Sequence, residues 1–488
     1  MKAERRLSAE LLAEVSAFIA ARMGLHFPPD RWRDLERALG EAAPALGCRD
    51  AETCAHRLME APLTREQVEI LALHLTIGET YFFREPGTFE ALEHHILPPL
   101  IAQRRSEGKR LRIWSAACAS GEEIYSIAML LDRLLPDLED WNLTLLATDI
   151  NPVSLKKAAE GIFRDWSFRR MSPDYREQYF RTVSGGREAI DERLRRLITF
   201  SYLNLAEPCY PSLLSNTNAM DVIFCRNVLM YFTPELAART LENLHHCLLE
   251  GGWLAVSQTE VALPRTGQFE AVSLSGAVLY RKVSAWQAAS AQTIPFQPEP
   301  VTPEPFAAEL HTPDAMDVST PAPMPAPDEA PGSGDEPQAL PPQAESAADR
   351  RLKRASERPD DAAPVALRAQ TLAGQGQLEA AAACCERAIA LDRLNPKYYY
   401  LSAVIAQERG LAEQARQSLR RVLFLAPDFA LAHFALGNLA AREGRRAEAD
   451  RHFANVQRLL AARALGEPLP EGEGLTVGSL LAMIRQPE

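Results

Sequence analysis

Leu111-Arg-Ile-Trp-Ser-Ala-Ala-Cys-Ala-Ser-Gly-Glu-Glu-Ile-Tyr-Ser126 is the stretch that decides the fold. Leu111–Ser115 reads as a short apolar strand, Ala116–Gly121 as a turn of small residues, and a helix starts at Glu122. The same unit recurs downstream. Leu143–Thr148 ends at Asp149, Ile198–Leu203 ends near Asn204, and Met220–Cys225 ends at Arg226-Asn227. Trp253–Ser257 is a fifth strand, and Phe269–Val272 with Val278–Arg281 forms a closing hairpin. Strands alternating with helices imply an α/β fold built on a mainly parallel, doubly wound sheet. Ligands of such sheets sit at the carboxyl ends of the strands. This chain places its small and polar residues there.

The turn at 116–121 lacks the Gly-x-Gly-x-x-Gly pattern that cradles a pyrophosphate. Its small residues let a ligand approach the backbone, yet Glu122 and Glu123 would repel phosphate. That combination disfavours NAD, FAD and ATP. It suits an adenosine ligand carrying positive charge, which the sulfonium and ammonium groups of S-adenosyl-L-methionine supply. Asp149, at the end of the second strand, is placed to hold ribose hydroxyls. Glu122 and Glu123 also fit a plainer role as first-turn residues favoured by the helix dipole.

Outward from this core the chain changes character. Between Leu7 and Leu75 apolar residues recur at helical intervals, and Pro28, Pro44 and Pro62 punctuate separate helices. Arg31, Arg33 and Arg37 lie close together there, as either a solvated face with Asp34 and Glu36 or a surface for an acidic partner. Fourteen of the 35 prolines fall between Pro295 and Pro342, in stretches such as Pro321-Ala-Pro-Met-Pro-Ala-Pro327. Such a segment buries little apolar area and reads as a disordered linker that transmits little mechanical coupling. Beyond it Gly376, Gly410 and Gly444 keep a 34-residue interval, as do Ala381, Ala415 and Ala449. That is the tetratricopeptide period. The repeats run from about Ala362 to Arg463, and Leu475–Ile484 is a candidate cap.

Composition bounds the partners. Over 488 residues, 47% are hydrophobic and 24% charged, and the net charge of -12 argues against nucleic acid as the main partner. No apolar run reaches the length of a membrane span, and no signal-peptide pattern opens the chain, so a cytoplasmic protein without direct membrane insertion is expected. None of the eight cysteines forms a Cys-x-x-Cys pair, which suggests reduced, mostly buried thiols. His94-His95 and His245-His246 lack zinc-ligand spacing, and no metal is expected.

Four separated motifs carry a resemblance. They are Glu79-Thr-Tyr-Phe-Phe-Arg-Glu85, Ile113–Ser126, Ala147-Thr-Asp-Ile150 and Phe224-Cys-Arg-Asn-Val-Leu-Met-Tyr-Phe232. In order and spacing they resemble the chemotaxis receptor glutamate O-methyltransferases of the CheR type, over roughly residues 8 to 283. The resemblance implies a helical N-terminal domain (1–88) and a Rossmann-like S-adenosylmethionine methyltransferase domain (89–283). These would be followed by the Pro-rich linker (284–361) and an all-α domain of three tetratricopeptide repeats with a capping helix (362–488). It implies transfer of a methyl group to glutamate side chains in the cytoplasmic domain of chemotaxis receptors, leaving S-adenosyl-L-homocysteine. The repeats would recruit a further, unidentified protein partner.

Carried over by position, the resemblance implies that Thr80 and Arg84 line the cofactor pocket from before the first strand. Glu123 would contact the methionine or adenosine end, and Asp149 the ribose. Asn204 and Leu205 would flank the adenine, with Arg226 and Asn227 closing the pocket. Gly78 belongs to the same set, but the family often has Asn there, so a side-chain contact is lost. Arg84 and Tyr231 are the candidate catalytic residues, Arg84 orienting the incoming carboxylate and Tyr231 placing it by hydrogen bonding. An ion pair of Arg84 with Glu85 or Glu90 is the plainer alternative. The stretch Ser172–Arg196 stands where the family carries a small β insertion that in some members grips a receptor tail peptide. A glutamate with pKa near 4.3 is already ionised, so no general base is required. Two other functions fit the same residues: a methyltransferase acting on another substrate, and a non-catalytic scaffold working through the repeats.

Overall fold

The computed structural model describes residues 6–61, 63–212, 215–260, 269–283, 362–472 and 475–484. The expected linker, 284–361, lies outside the described residues.

The chain opens with α1 (Ala9–Met23), α2 (Trp32–Ala42), α3 (Ala51–Met59) and α4 (Arg65–Leu75). Their starts are set by side chains that accept first-turn amides: Ser8 for α1, Asp50 for α3, and a reciprocal Thr64/Gln67 box for α4. Val15, Ile19, Leu35, Leu39 and Leu71 meet in one core. Gly24 ends α1 with φ 80°, and a Cβ there would lie 2.8 Å from the Phe232 ring. Only glycine meets both constraints, so this helical part is pressed directly onto the sheet-bearing part of the chain.

Next come α5 (Pro86–Ala91) and α6 (Leu97–Ser106), then the sheet: β1 (Arg110–Ala116), β2 (Asn142–Asp149), β6 (Ile198–Tyr202), β7 (Met220–Cys225), β8 (Leu248–Ala255), β9 (Phe269–Leu274) and β10 (Ala277–Lys282). The strand order is β6-β2-β1-β7-β8-β10-β9. The first five strands pair in parallel, and β10 and β9 close the edge antiparallel. Side chains alternate between two cores, as the two-residue strand period requires. Leu111, Ile113, Val222 and Phe224 pack on one face, and Trp114, Ile223 and Cys225 on the other. Helices α7 (Glu122–Leu134), α8 (Pro152–Glu160) and α11 (Pro234–Cys247) link consecutive strands. Burial on both faces is why the strands read as continuous apolar runs.

The expected strands recur with two differences. β8 begins at Leu248, five residues before the expected start at Trp253, because the ladder continues through Gly251-Gly252 with a register shift opposite Met220/Val222. The β insertion also begins earlier than Ser172: β3 (Ile162–Phe163), β4 (Phe180–Val183) and β5 (Arg187–Ile190) form a separate three-stranded sheet in the order β3-β5-β4. Two short helices, α9 (Pro173–Tyr179) and α10 (Glu192–Leu197), precede β4 and follow β5.

The repeats are three helix pairs: Ala362–Gly374 with Leu378–Leu391, Pro396–Glu408 with Ala412–Leu425, and Ala430–Arg442 with Arg446–Leu460. Gly376, Gly410 and Gly444 turn the chain within each pair at φ 74–75°. A final helix, Val477–Ile484, buries Val477 and Leu480 against the stack. All eight cysteines are free thiols, and only Cys384 is partly accessible. No helix among the described residues is long and apolar enough to cross a membrane.

Close helix approach in the third pair rests on Gly437, where a Cβ would lie 2.4 Å from the Phe453 ring. Gly437→Ala is therefore expected to destabilise the repeats by about 1–3 kcal/mol through overpacking, despite alanine's better helix propensity. Urea unfolding would read the loss. Trimming the ring with Phe453→Leu in the same chain should recover part of it.

Candidate active site

A cleft opens at the carboxyl ends of β1, β2, β6 and β7, where ligands of open α/β sheets bind. Ala117 and Ala119 line it from the turn after β1, and Asp149 and Ile150 from the end of β2. Leu203, Asn204 and Leu205 follow β6, and Asn227, Val228, Tyr231 and Phe232 follow β7. The helical part closes the fourth side with Met23, Leu25 and Leu75–Gly78.

The turn after β1 is strained. Ala117 (φ 65°) and Ala119 (φ 47°) both occupy the left-handed region, at a cost of about 1–2 kcal/mol each for residues with a Cβ. Asp149 holds it in place: Oδ2 accepts the Ala119 amide and Oδ1 the Asn151 amide, each at 2.8 Å. The Cys118 amide adds a bond to the Thr148 carbonyl at 2.9 Å. Burial raises the Asp149 carboxyl above its ordinary 3.8, and the backbone amides of Asn151, Ala119 and Ile150 oppose that shift. Each carboxylate oxygen has a second lone pair beyond its amide bond, so ribose hydroxyls fit where Asp149 lines the cleft.

Beside the cleft lies a buried charge network. Glu123 accepts the Ser115 hydroxyl at 2.7 Å and the Arg226 Nη1 at 2.9 Å. Arg226, whose side chain is only 2% exposed, also pairs with Glu85 at 3.2 Å and donates to the Arg84 carbonyl at 2.6 Å. Phe83 and Glu85 flank Arg84 at φ 55° and 60°. The Arg84 guanidinium donates to the Glu79 carbonyl at 2.7 Å and lies 5.9 Å from the Tyr81 ring, while Glu85 is taken by Arg226. Glu122 is buried apart, accepting the Ser120 and Ser167 hydroxyls, and burial raises its carboxyl.

Of the residues singled out from sequence, Gly78, Asp149, Asn204, Leu205, Asn227 and Tyr231 line the cleft together. Glu123, Arg226 and Arg84 form the adjoining network, and Thr80 sits half-buried on the loop between Gly78 and Arg84. The Asn204 amide is spent on structure, donating to the Arg22 carbonyl at 2.8 Å and accepting the Ala206 amide at 3.0 Å. The Tyr231 carbonyl accepts the His26 amide at 2.7 Å, and the Arg31 guanidinium lies 5.6 Å from the Tyr231 ring.

Sequence reasoning missed Glu260. This carboxylate, 2% exposed, accepts the Asn227 and Val228 amides at 2.8 Å, the Met230 amide at 3.2 Å, and both the amide and hydroxyl of Ser257. It fixes the loop that presents Asn227 (φ 58°) and Tyr231. The signal was an acid just past a strand end, on the edge where the other polar residues cluster.

The site suits an adenosyl cation. Met23, Leu25, Leu203 and Leu205 give an apolar wall for a base, and Asp149 an acceptor for a ribose. The carboxylates Glu85, Glu123 and Asp149 outnumber the one buried guanidinium among them, Arg226. Fold and site together define an S-adenosylmethionine-dependent methyltransferase. Residues 78–278 match the family model described as CheR methyltransferase, SAM binding domain, and residues 365–393 match a tetratricopeptide repeat. A probable chemotaxis protein methyltransferase of Rhizobium etli is 40% identical over 190 residues, 38% of this chain and 69% of that protein. Chemotaxis protein methyltransferase 1 of Pseudomonas aeruginosa is 34% identical over 221 residues, 44% of this chain and 77% of that one. The chain belongs to the CheR family of chemotaxis protein methyltransferases.

Three outcomes are expected. Asp149→Ala should weaken S-adenosylmethionine binding by about 1.5–3 kcal/mol, the worth of a hydrogen bond to a charged group, in calorimetric titration. Binding by the wild-type protein should be strongest where Asp149 is ionised and decline as pH falls through its raised pKa, above the ordinary 3.8. Glu260→Ala should leave the Asn227, Val228 and Met230 amides without their acceptor, lowering cofactor affinity and the melting temperature together. Unchanged affinity in a folded Glu260→Ala protein would show that the loop holds its shape without the carboxylate.

Proposed function

We propose that this protein methylates glutamate side chains in the cytoplasmic domains of methyl-accepting chemotaxis receptors, and that it does so in the cytoplasm. One observation supports this substrate class beyond family membership. The carboxylates lie inside the site, and arginines stack on Tyr231, which lines the cleft, and on Tyr81. Arg31 lies over Tyr231, and Arg84 and Arg169 lie over Tyr81. Arg31 is paired with Asp34 and Arg169 with Glu79, so Arg84 is the guanidinium we assign to an anionic side chain.

Bound S-adenosylmethionine supplies an electrophilic methyl on a sulfonium. The chain's task is to hold that centre and aim a carboxylate at it. Asp149 and the apolar wall fix the nucleoside, and the Glu123–Arg226 pair fixes the far end of the pocket. Arg84 orients the incoming carboxylate, while Tyr231 places it by hydrogen bonding. The glutamate oxygen forms the new bond to carbon as the sulfur–carbon bond breaks, so no proton moves. Rate then comes from positioning and exclusion of water. In this reading the chain divides its labour among a helical segment (1–88), the transferase (89–283), a linker (284–361) and a partner-recruiting repeat module (362–488).

The test is incubation of the full chain with methyl-labelled S-adenosylmethionine and receptor cytoplasmic domains, followed by alkaline release of methanol. Base-labile methanol is the expected product. Labelling of other proteins with none of the receptor fragments would favour a different substrate, and no transfer at all would favour a scaffold. Arg84→Ala should reduce transfer at least about tenfold, since a hydrogen bond to a charged group is worth about 1.5–3 kcal/mol, with little effect on the melting temperature.

A further inference from the structure

The cofactor cleft takes up the carboxyl ends of the parallel strands. Their amino ends are covered by the repeats. Glu408, the last residue of helix Pro396–Glu408, inserts its carboxylate between two arginines of β1. Its Oε2 accepts from Arg112 Nη1 at 2.7 Å and from Arg110 Nη2 at 2.9 Å. The Arg112 side chain is 2% exposed and that of Glu408 6%. The Glu408 carbonyl accepts from Asn142 Nδ2, at the start of β2, at 3.2 Å.

The neighbouring acid does not substitute for Glu408. Asp221 accepts the backbone amide of Arg112, and its other oxygen is bound by the Arg104 guanidinium at 2.6 Å. The second edge of the Arg112 guanidinium goes to Asn216, through the carbonyl at 2.9 Å and the side chain at 2.5 Å. Glu408 is thus the carboxylate that pairs with the Arg112 guanidinium. Two repeat turns press on the same edge. A Cβ at Gly376 would lie 2.8 Å from Leu249, and one at Gly410 would lie 3.3 Å from Asn142; at Gly444 it would meet nothing within 4 Å.

We propose that the repeats are a docked component of the enzyme rather than a tethered one. The second repeat is locked by Glu408 onto Arg110 and Arg112 at the amino edge of the sheet. A protein bound by the repeats is therefore carried on the side opposite the methyl-transfer cleft. The seven residues of β1, at about 3.3 Å each, put roughly 20 Å between the two edges. Partner and substrate are then held at once without competing. A buried carboxylate between two arginines is costly to desolvate and forms only where both sides are fixed in register, which a loosely tethered module does not provide. The inference is independent of which substrate the cleft methylates.

The test uses the full chain with a specific protease site placed within 284–361. After cleavage of the folded protein, the two parts should co-elute in size exclusion as one species at micromolar concentration. Separation of the cleaved wild-type parts would overturn the proposal. Glu408→Arg should separate them, while the uncut variant keeps wild-type affinity for S-adenosylhomocysteine because the cleft lies at the far edge. Should Glu408→Arg not fold, Glu408→Gln keeps the shape and removes the charge, and is expected to weaken association of the cleaved parts roughly tenfold or more. Association unchanged in Glu408→Gln would show that the carboxylate is not the lock and would equally reject the proposal.

Discussion

The site depends on one carboxylate. Asp149 accepts the amide of Ala119 from the turn after β1 and the amide of Asn151 at the start of α8. Through Asn151 the same joint reaches the helical part, since that side chain donates to the Ala72 carbonyl and to Thr76. Three segments distant in sequence are thereby fixed around one acceptor. Two alanines are held in the left-handed region as a result, and strain of this kind persists only where the surroundings over-determine it. The cleft is the space that this constraint leaves open.

A second constraint is charge. Burying Arg226 requires partners, and it finds Glu123, Glu85 and the Arg84 carbonyl. Those contacts tie the segment before the sheet to the helix after β1 and to the strand end of β7. A buried ion pair contributes little net stability, because desolvation offsets the attraction. What it contributes here is register: the cofactor wall and the loop bearing Arg84 cannot shift independently. Glu260 does the same for the loop after β7, gathering the amides of Asn227, Val228 and Met230 onto one buried acid.

The repeats extend this logic to the opposite edge of the sheet. A 34-residue period specifies a stack of helix pairs and an open face for a partner, but not whether that stack floats or docks. Glu408, Gly376 and Gly410 dock it. The glycines that turn the chain within the first two pairs are also points of close approach to the sheet, so one residue type meets two demands.

The sequence by itself determined whatever depends on local period or composition. Alternating apolar strands with polar ends announced a doubly wound sheet and the edge where a ligand binds. The surplus of acids over phosphate-binding glycines pointed to a cationic adenosyl ligand, and spacing alone gave the repeats. Six of the ten candidate site residues line one cleft, because strand ends in a parallel sheet converge by topology. The expected fifth strand starts five residues late, at Trp253, whereas the ladder runs through Gly251-Gly252 with a register shift that absorbs the glycines. Only the tertiary structure decided the rest. Glu260 meets Asn227 across 33 residues, and Glu408 meets Arg112 across 296. A hydrogen bond between residues so far apart leaves no periodic trace in the chain: which acid pairs with which buried donor is set by how the layers pack.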